Sequence, residues 1–191
     1  MKKILVIIVT LIVILINTIS VSSDRVKFGR VNGLLYSQEN RLTETVIDKL
    51  LEHNTNVHIV KNMELETFIG QEEDTSQGWC KYNLNENTIY VEDSMDNREV
   101  GRILYHELGH SFDKLRKGDN IYTLYSLNDD FVEIYEKEKD VLFDENNSYY
   151  KSTSVEYFAE TFSMFFYSEE TREELKEKAI ETYVYIEMVT R

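Results

Sequence analysis

The chain has 191 residues and a net charge of −14 at pH 7, with 29% charged and 42% hydrophobic residues. This length suits one domain that buries its own core without help from a metal or a disulfide. Because nucleic-acid binding depends on Lys and Arg that neutralise phosphates, the acidic excess argues against a nucleic-acid partner and against an anionic membrane surface.

The first 23 residues form a segment of their own. Lys2 and Lys3 precede an apolar run over 4–16 that only Thr10 interrupts, and small polar residues follow up to Ser23. A basic start, an apolar centre of about 7–15 residues and a small-residue end are typical of a secretory signal peptide. We therefore expect a signal peptide over 1–23 and a single domain over 24–191 that leaves the membrane. An uncleaved anchor is the alternative, although a spanning helix prefers roughly 20 apolar residues.

The cysteine content bears on where the protein acts. Cys80 is the only cysteine, so the chain cannot form an internal disulfide. Secreted proteins of oxidising compartments usually carry several disulfides. We therefore expect a bacterial secreted protein, from a Gram-positive source, in which Cys80 is a small apolar residue of a strand.

The first half of the domain predicts a small sheet with short helices. Apolar residues at helical spacing predict a helix over 38–53, and a shorter helix is predicted over 62–69. The alternating, β-branched stretch NVHIV predicts a strand over 56–60. The stretches SQGWCKY and NTIYV, at 76–82 and 87–91, flank NLNEN and predict two antiparallel strands joined by a turn.

The second half is predicted to be helical. Asp96, followed three residues later by Glu99, resembles a capping box and predicts a helix start. The apolar face of this helix is predicted to extend from Val100 to Leu115. Further helices are predicted over 127–142, 154–167 and 171–188. A small sheet followed by helices is an α+β layout.

The stretch YHELGHSFD, at 105–113, carries the chemistry. His106 and His110 are four residues apart on a predicted helix, so both imidazoles face the same way and can bind one Zn²⁺. Glu107 lies beside them and can act as the general base toward a water. The alternative is a structural histidine pair inside the core. Gly109 costs about 1 kcal/mol in a helix relative to Ala, which indicates close packing or function.

A third metal ligand is expected on a separate element. Glu156 and Glu160, in SVEYFAETF at 154–162, share a helical face among aromatic residues. Buried carboxylates are costly unless they are paired or bind a metal. Glu156 as a ligand, with Glu160 accepting a proton from a ligand imidazole, gives both a partner. Solvent-facing acids are the alternative, and His53 and His58 are less suitable ligands.

The stretch HELGHSFD, followed by SYYKSTSVEYFAETFSMFF, resembles the catalytic domain of anthrax lethal factor and the secreted clostridial Pro-Pro endopeptidases. These are zinc metallopeptidases of the gluzincin type, and the resemblance covers about 76–191. It implies a zincin-like fold and one Zn²⁺ per chain, held by His106, His110 and Glu156. It also implies that Glu107 is the general base and that Glu160 accepts a hydrogen bond from a ligand imidazole without binding the metal.

The resemblance assigns further roles near the metal. Tyr149 stands seven residues before the ligand glutamate, at the spacing of the family's oxyanion-stabilising tyrosine. Tyr150 is adjacent and stays open as the alternative, and either phenol could instead be a packed core residue. Asp113 fits the family pattern as a structural support. An edge strand borders the substrate cleft in this fold, which makes Trp79 a candidate substrate contact, with buried packing as the alternative.

These observations predict a secreted zinc metalloendopeptidase that hydrolyses peptide bonds in extracellular or cell-surface proteins. A catalytically inactive, zincin-like peptide-binding protein is the alternative, and a helical protein without metal is a further one. The loop residues that select proline in the Pro-Pro endopeptidases are not recognisable in this sequence, so no Pro-Pro specificity is predicted.

Overall fold

The computed structural model describes residues 42–52, 55–60, 78–82, 87–92, 97–117 and 121–191. Its helices are α1 (Glu44–Glu52), α2 (Asn97–Phe112), α3 (Asp129–Leu142), α4 (Ser154–Tyr167), α5 (Glu169–Lys178) and α6 (Ile180–Val189). Its strands are β1 (Thr55–Val60), β2 (Gly78–Tyr82), β3 (Asn87–Glu92), β4 (Lys114–Lys117) and β5 (Ile121–Leu124). Two 3₁₀ segments cover Tyr125–Leu127 and Glu145–Lys151. No helix within these ranges is long and apolar enough to cross a membrane.

A small mixed sheet lies in the first half of the chain. β3 is its central strand, with β1 parallel on one side and β2 antiparallel on the other. Cys80 of β2 pairs with Ile89 of β3, and both are buried. The antiparallel pair predicted from SQGWCKY and NTIYV is therefore confirmed. β2 is an edge of this sheet among the described strands, and it faces the following helix.

The core forms where α2 and α4 cross. α4 is buried on nearly every side, which makes it the central helix of the second half. Aromatic rings fill the space around it, with Phe112, Phe131, Phe158 and Phe162 almost fully buried. Buried aromatic rings supply large apolar area and rigid contacts, so they fix the positions of the two helices relative to each other.

The start of α4 is set by a cap. The Thr153 side chain accepts a hydrogen bond from the Glu156 backbone N–H at 3.2 Å, which satisfies one of the free donors of the first turn. Glu156 therefore lies in the first turn of α4, and Glu160 lies one turn later on the same face. This cap orients the two acids toward α2.

Two of the helix predictions are wrong in their extent. α2 ends at Phe112, and Leu115 lies in β4 instead of on the helix. The chain turns at Asp113, which accepts hydrogen bonds from Tyr125 and Ser126. The helix predicted over 171–188 is two helices, α5 and α6, separated at Ala179, whose φ is −141° and ψ is 67°.

The remaining helix predictions agree with the structure where it describes them. α1 occupies most of the predicted 38–53, and α3 and α4 match the predictions over 127–142 and 154–167. The helix predicted over 62–69 and the cap at Asp96 lie outside the described residues. The 3₁₀ segment Glu145–Lys151 and the β4–β5 pair were not predicted from the sequence.

Candidate metal centre

α2 brings the two histidines of the HELGH stretch to one side. His106 is buried and His110 half-buried, and their Nε2 atoms lie 3.2 Å apart. The four-residue spacing places the second imidazole one turn after the first on the same face. Both ring nitrogens therefore point at one place between α2 and α4.

α4 supplies an oxygen at the same place. Glu156 Oε2 lies 3.3 Å from His106 Nε2 and 3.4 Å from His110 Nε2. This oxygen is buried and has no hydrogen-bond partner of acceptable geometry among the described residues. A buried carboxylate oxygen without a partner is unfavourable unless a cation satisfies it.

The three atoms have the spacing that a small metal ion requires. They form a nearly equilateral triangle with sides of 3.2, 3.3 and 3.4 Å. Dividing the mean side by √3 gives a point about 1.9 Å from each atom, close to the 2.0–2.1 Å of Zn–N and Zn–O bonds. Among the described residues, this trio is the group of His, Cys, Asp or Glu that could hold a metal ion.

The electrostatics of the cluster favour positive charge. Burial acts to raise the pKa of Glu156, but the two imidazoles lower it well below its ordinary value, so the carboxylate stays ionised. Burial acts to lower the pKa of His106, but Glu156 and Glu160 raise it to about 10. The carboxylates thus attract either protons or a cation. A divalent ion would replace those protons between the ligand atoms.

Glu160 supports His106 from the side away from Glu156. Its Oε2 lies 2.9 Å from His106 Nδ1, and its Oε1 lies 3.0 Å from Arg102 Nη1. With the Nδ1 proton directed at Glu160, the Nε2 lone pair is free for a metal. The role of Glu160 as a support for a ligand imidazole stays a prediction.

Glu107 is enclosed between α2 and β2. Burial raises the pKa of its carboxyl group above the ordinary value, and the neighbouring His106 and His110 oppose that rise. The Cys80 backbone also hydrogen-bonds the carboxylate. A Cβ at Gly78 would lie 2.9 Å from Glu107 Oε1, so the strand passes directly over the carboxylate. A carboxyl group with a raised pKa is suited to accept and release a proton near neutral pH.

The two adjacent tyrosines have different surroundings. The Tyr150 hydroxyl accepts a hydrogen bond from Arg102 Nη1 at 2.9 Å, and its ring lies 5.7 Å from the His106 ring. Burial, and then the carboxylates of Glu156 and Glu107, raise the pKa of the Tyr149 phenol. Tyr149 is therefore a protonated donor next to the acids of the site, whereas the Tyr150 hydroxyl is engaged elsewhere.

Asp113 lies behind the site and holds the chain after α2. Its carboxylate accepts hydrogen bonds from the Ser126 backbone N–H at 2.7 Å and from the Ser126 hydroxyl at 2.6 Å. Its backbone carbonyl accepts from the Tyr125 N–H. These contacts join the end of α2 to the 3₁₀ segment Tyr125–Leu127, and the role of Asp113 in supporting the site stays a prediction.

A family model described as anthrax toxin lethal factor, N- and C-terminal domain, matches residues 29–189. The chain belongs to this lethal factor family.

The fold agrees with this membership. The chain resembles the solved structure of the Pro-Pro endopeptidase PPEP-2 from Paenibacillus alvei, with a TM-score of 0.62 and 20% sequence identity. The likeness covers 83% of this chain and 90% of that one. At this identity it is a likeness of fold, and it supports the predicted α+β layout with a small mixed sheet. No curated protein matches the chain.

Two residues that lie beside this cluster, Arg102 and Gly78, were not identified from the sequence. Arg102 lies four residues before His106, and this spacing alone could have placed it on the histidine face of the helix. Gly78 gave no signal in the sequence, because its closeness to Glu107 depends on how β2 lies over α2. Trp79 lies opposite Tyr90 in the sheet, and its contact with substrate stays a prediction.

Proposed function

We propose that this chain is a zinc metalloendopeptidase in which His106, His110 and Glu156 hold the ion and Glu107 is the general base. One observation carries the proposal: the two Nε2 atoms and Glu156 Oε2 lie 3.2–3.4 Å from one another, with the buried Glu107 beside them. Two imidazoles and one carboxylate form a donor set of catalytic zinc sites. Membership of the lethal factor family and the fold shared with a Pro-Pro endopeptidase support peptide hydrolysis as the reaction.

The chain's own residues account for the proton transfers. When bound, zinc supplies Lewis acidity, which brings the pKa of a water toward about 7. Glu107 removes a proton from the attacking water and afterwards gives it to the leaving amine. Tyr149 donates a hydrogen bond to the oxygen that becomes negative as the peptide carbonyl is attacked. Glu160 keeps the His106 proton on Nδ1 throughout.

The substrate is proposed to be an extended peptide that lies along β2. An exposed edge strand offers main-chain donors and acceptors to an added strand, and neighbouring pockets supply selectivity. β2 passes over Glu107 at Gly78, so a peptide on this edge would lie close to the general base. Trp79, the next residue, is proposed to contact the substrate.

The location of the protein is a further proposal. Residues 1–23 would direct export and be removed, and 24–191 would act on proteins outside the cell or on its surface. Mass spectrometry of protein recovered from the medium of an expressing Gram-positive host tests this proposal. A mass that includes residues 1–23, or a protein retained in the membrane fraction, would contradict it.

Metal content and cleavage test the proposed function directly. Elemental analysis of the purified protein should find about one zinc per chain. A peptide library incubated with the protein should be cut at defined sites, and a chelator should abolish the cuts. Mass spectrometry of the products would also give the sequence preference.

A single isosteric substitution separates catalysis from binding. Glu107→Gln should keep the zinc and lose cleavage, whereas the exposed Glu173→Gln should behave like the unmodified protein. Zinc and peptide binding without any cleavage by the unmodified protein would favour the inactive peptide-binding alternative. Absence of zinc would favour a helical protein without a metal site.

A further inference from the structure

Arg102 connects three elements at the metal centre. It lies on α2 one turn before His106, and its side chain extends toward α4 and the 3₁₀ segment Glu145–Lys151. Nη1 lies 3.0 Å from Glu160 Oε1 and donates to the Tyr150 hydroxyl at 2.9 Å. The guanidinium also lies over the Tyr150 ring, 5.6 Å from its centre. One nitrogen thus joins an acid of α4 to a tyrosine of the 3₁₀ segment.

The contact with Glu160 constrains His106. The two carboxylate oxygens of Glu160 have different partners. Oε1 accepts a hydrogen bond from Arg102, and Oε2 lies 2.9 Å from His106 Nδ1. A carboxylate held at both oxygens cannot rotate freely, so it fixes the plane and the tautomer of the imidazole. The Glu160 side chain is only 7% exposed, so without Arg102 it would be a buried charge that has lost a partner.

The contact with Tyr150 constrains Tyr149. The two rings are neighbours in the chain and pack edge to face, with centres 5.6 Å apart. Because Arg102 ties the Tyr150 hydroxyl to α2, the 3₁₀ segment is held where the Glu156 carboxylate acts on the Tyr149 phenol and raises its pKa. The arginine therefore acts on both the metal ligands and the proposed oxyanion donor.

We infer that Arg102 is a positioning residue for the whole centre: through Glu160 it orients His106 for the metal, and through Tyr150 it places Tyr149. The inference rests on the proposed function. An exposed ion pair would contribute little, but only the arginine is exposed here, at 39%, while its acid is buried. Its contacts are with residues that touch the centre, and this distinguishes it from a general stabilising salt bridge.

The surroundings make Arg102 suitable for substitution. Arg102, Tyr150 and Glu160 line a cavity of about 550 Å³ that opens beside the guanidinium. Truncating the arginine would enlarge this existing space instead of creating a void in the packed core. Arg172 is a matched control, since its guanidinium also lies over an aromatic ring, at 4.1 Å from the centre of Phe165.

The test measures zinc affinity by chelator competition and, separately, the visible absorption spectrum of the cobalt-substituted full chain. Arg102→Ala should lower zinc affinity by about 10–100-fold, the range for losing support behind a metal-binding histidine, and should change the cobalt spectrum. Arg172→Ala should leave both unchanged. Arg102→Lys keeps the charge but loses the planar group that lies over the Tyr150 ring, so it should restore most of the zinc affinity and less of kcat.

Tyr150→Phe separates the two contacts of Arg102, one with Tyr150 and one with Glu160. It removes only the hydroxyl contact, so zinc affinity should stay within about threefold while kcat falls. Circular dichroism and thermal melting identify any variant that does not fold, and if Arg102→Ala fails, Arg102→Lys and Tyr150→Phe carry the test. Unaltered zinc affinity and cobalt spectrum in a folded Arg102→Ala protein would overturn the inference. No zinc in the unmodified protein would instead overturn the proposed function.

Discussion

Gly109 of α2 lies against the backbone of Ala159 in α4. A Cβ at residue 109 would be 2.8 Å from the Ala159 Cα and 2.9 Å from its carbonyl oxygen. Gly109 stands between the two histidines, and Ala159 stands between Glu156 and Glu160. The absence of a side chain at this crossing therefore lets the proposed metal ligands of the two helices approach one another.

Gly109→Ala should weaken the metal site even though Ala favours helix formation. The gain in helix propensity is about 1 kcal/mol, whereas overpacking costs about 1–3 kcal/mol and would separate α2 from α4. We expect no gain in the free energy of unfolding and at least a tenfold loss of zinc affinity, measured by denaturant titration and chelator competition. Ala159→Gly is the control. It should not rescue the variant, because the atoms in contact are backbone atoms.

Gly78→Ala should impair catalysis more than metal binding. The added methyl group would overlap Ile103 Cγ2 and lie 2.9 Å from Glu107 Oε1, so β2 or the Glu107 side chain must move. The nearest atoms to the added methyl group belong to Ile103 and Glu107, and not to the proposed metal ligands. We expect kcat to fall by at least tenfold while zinc stays at one per chain. Normal kcat in a folded variant would show that β2 does not constrain Glu107.

The residues of the candidate metal cluster could be predicted from the sequence because their spacing is local. His106 and His110 are one helical turn apart, and Glu156 and Glu160 repeat that spacing, so each pair is defined by helix geometry alone. The meeting of the two pairs depends on α2 crossing α4, which the family resemblance implied and local spacing could not. Arg102 shares the histidine face, but its partners are separated from it by 48 and 58 residues.

The errors in the helix boundaries have long-range causes. The break at Ala179 carries no Gly or Pro signal. It is stabilised by the buried Glu138 of α3, whose carboxylate accepts hydrogen bonds from the backbone N–H groups of Glu181 and Thr182. The acid thus caps α6 from 43 residues away. Contacts of this kind leave no periodic pattern in the sequence. The local pattern therefore predicts one helix that continues through the break.

Asp113 should make stability depend on pH. Burial raises its pKa from an ordinary 3.8 to about 6, although hydrogen bonds from Ser126 oppose the rise. The folded state therefore binds more protons than the unfolded state between about pH 4 and pH 6. The contribution of this residue to the free energy of unfolding falls as pH rises through that window and is constant above it.

Comparison with Asp113→Asn isolates the contribution of Asp113 to the pH dependence of the free energy of unfolding. Asn keeps an oxygen for the Ser126 backbone N–H and does not titrate. Between pH 4 and pH 7 the unmodified protein should lose about 2 kcal/mol more stability than the variant, since one pKa unit corresponds to about 1.4 kcal/mol and part of the shift lies below pH 4. Urea denaturation at fixed pH steps measures both curves. Parallel curves would mean that Asp113 has the same pKa in the folded and unfolded states.

Tyr149→Phe and Tyr150→Phe should differ in how strongly they reduce kcat. Tyr149 faces Glu156 and stays protonated because its pKa is raised, so it can donate to a developing oxyanion. Losing one such donor typically lowers kcat by about 10²–10³-fold. KM and zinc content should stay near those of the unmodified protein, because the hydroxyl acts mainly in the transition state.

The Tyr150 variant is the matched control for this assignment. Its hydroxyl is held by Arg102 and does not face the reacting carbonyl in the proposed mechanism, so its loss should lower kcat by less than about tenfold. Steady-state kinetics on one peptide that the library identifies would compare the two variants. A larger loss for Tyr150→Phe than for Tyr149→Phe would reverse the assignment. Since the two phenols are neighbours in the 3₁₀ segment, equal and large losses would mean that the segment acts as a unit.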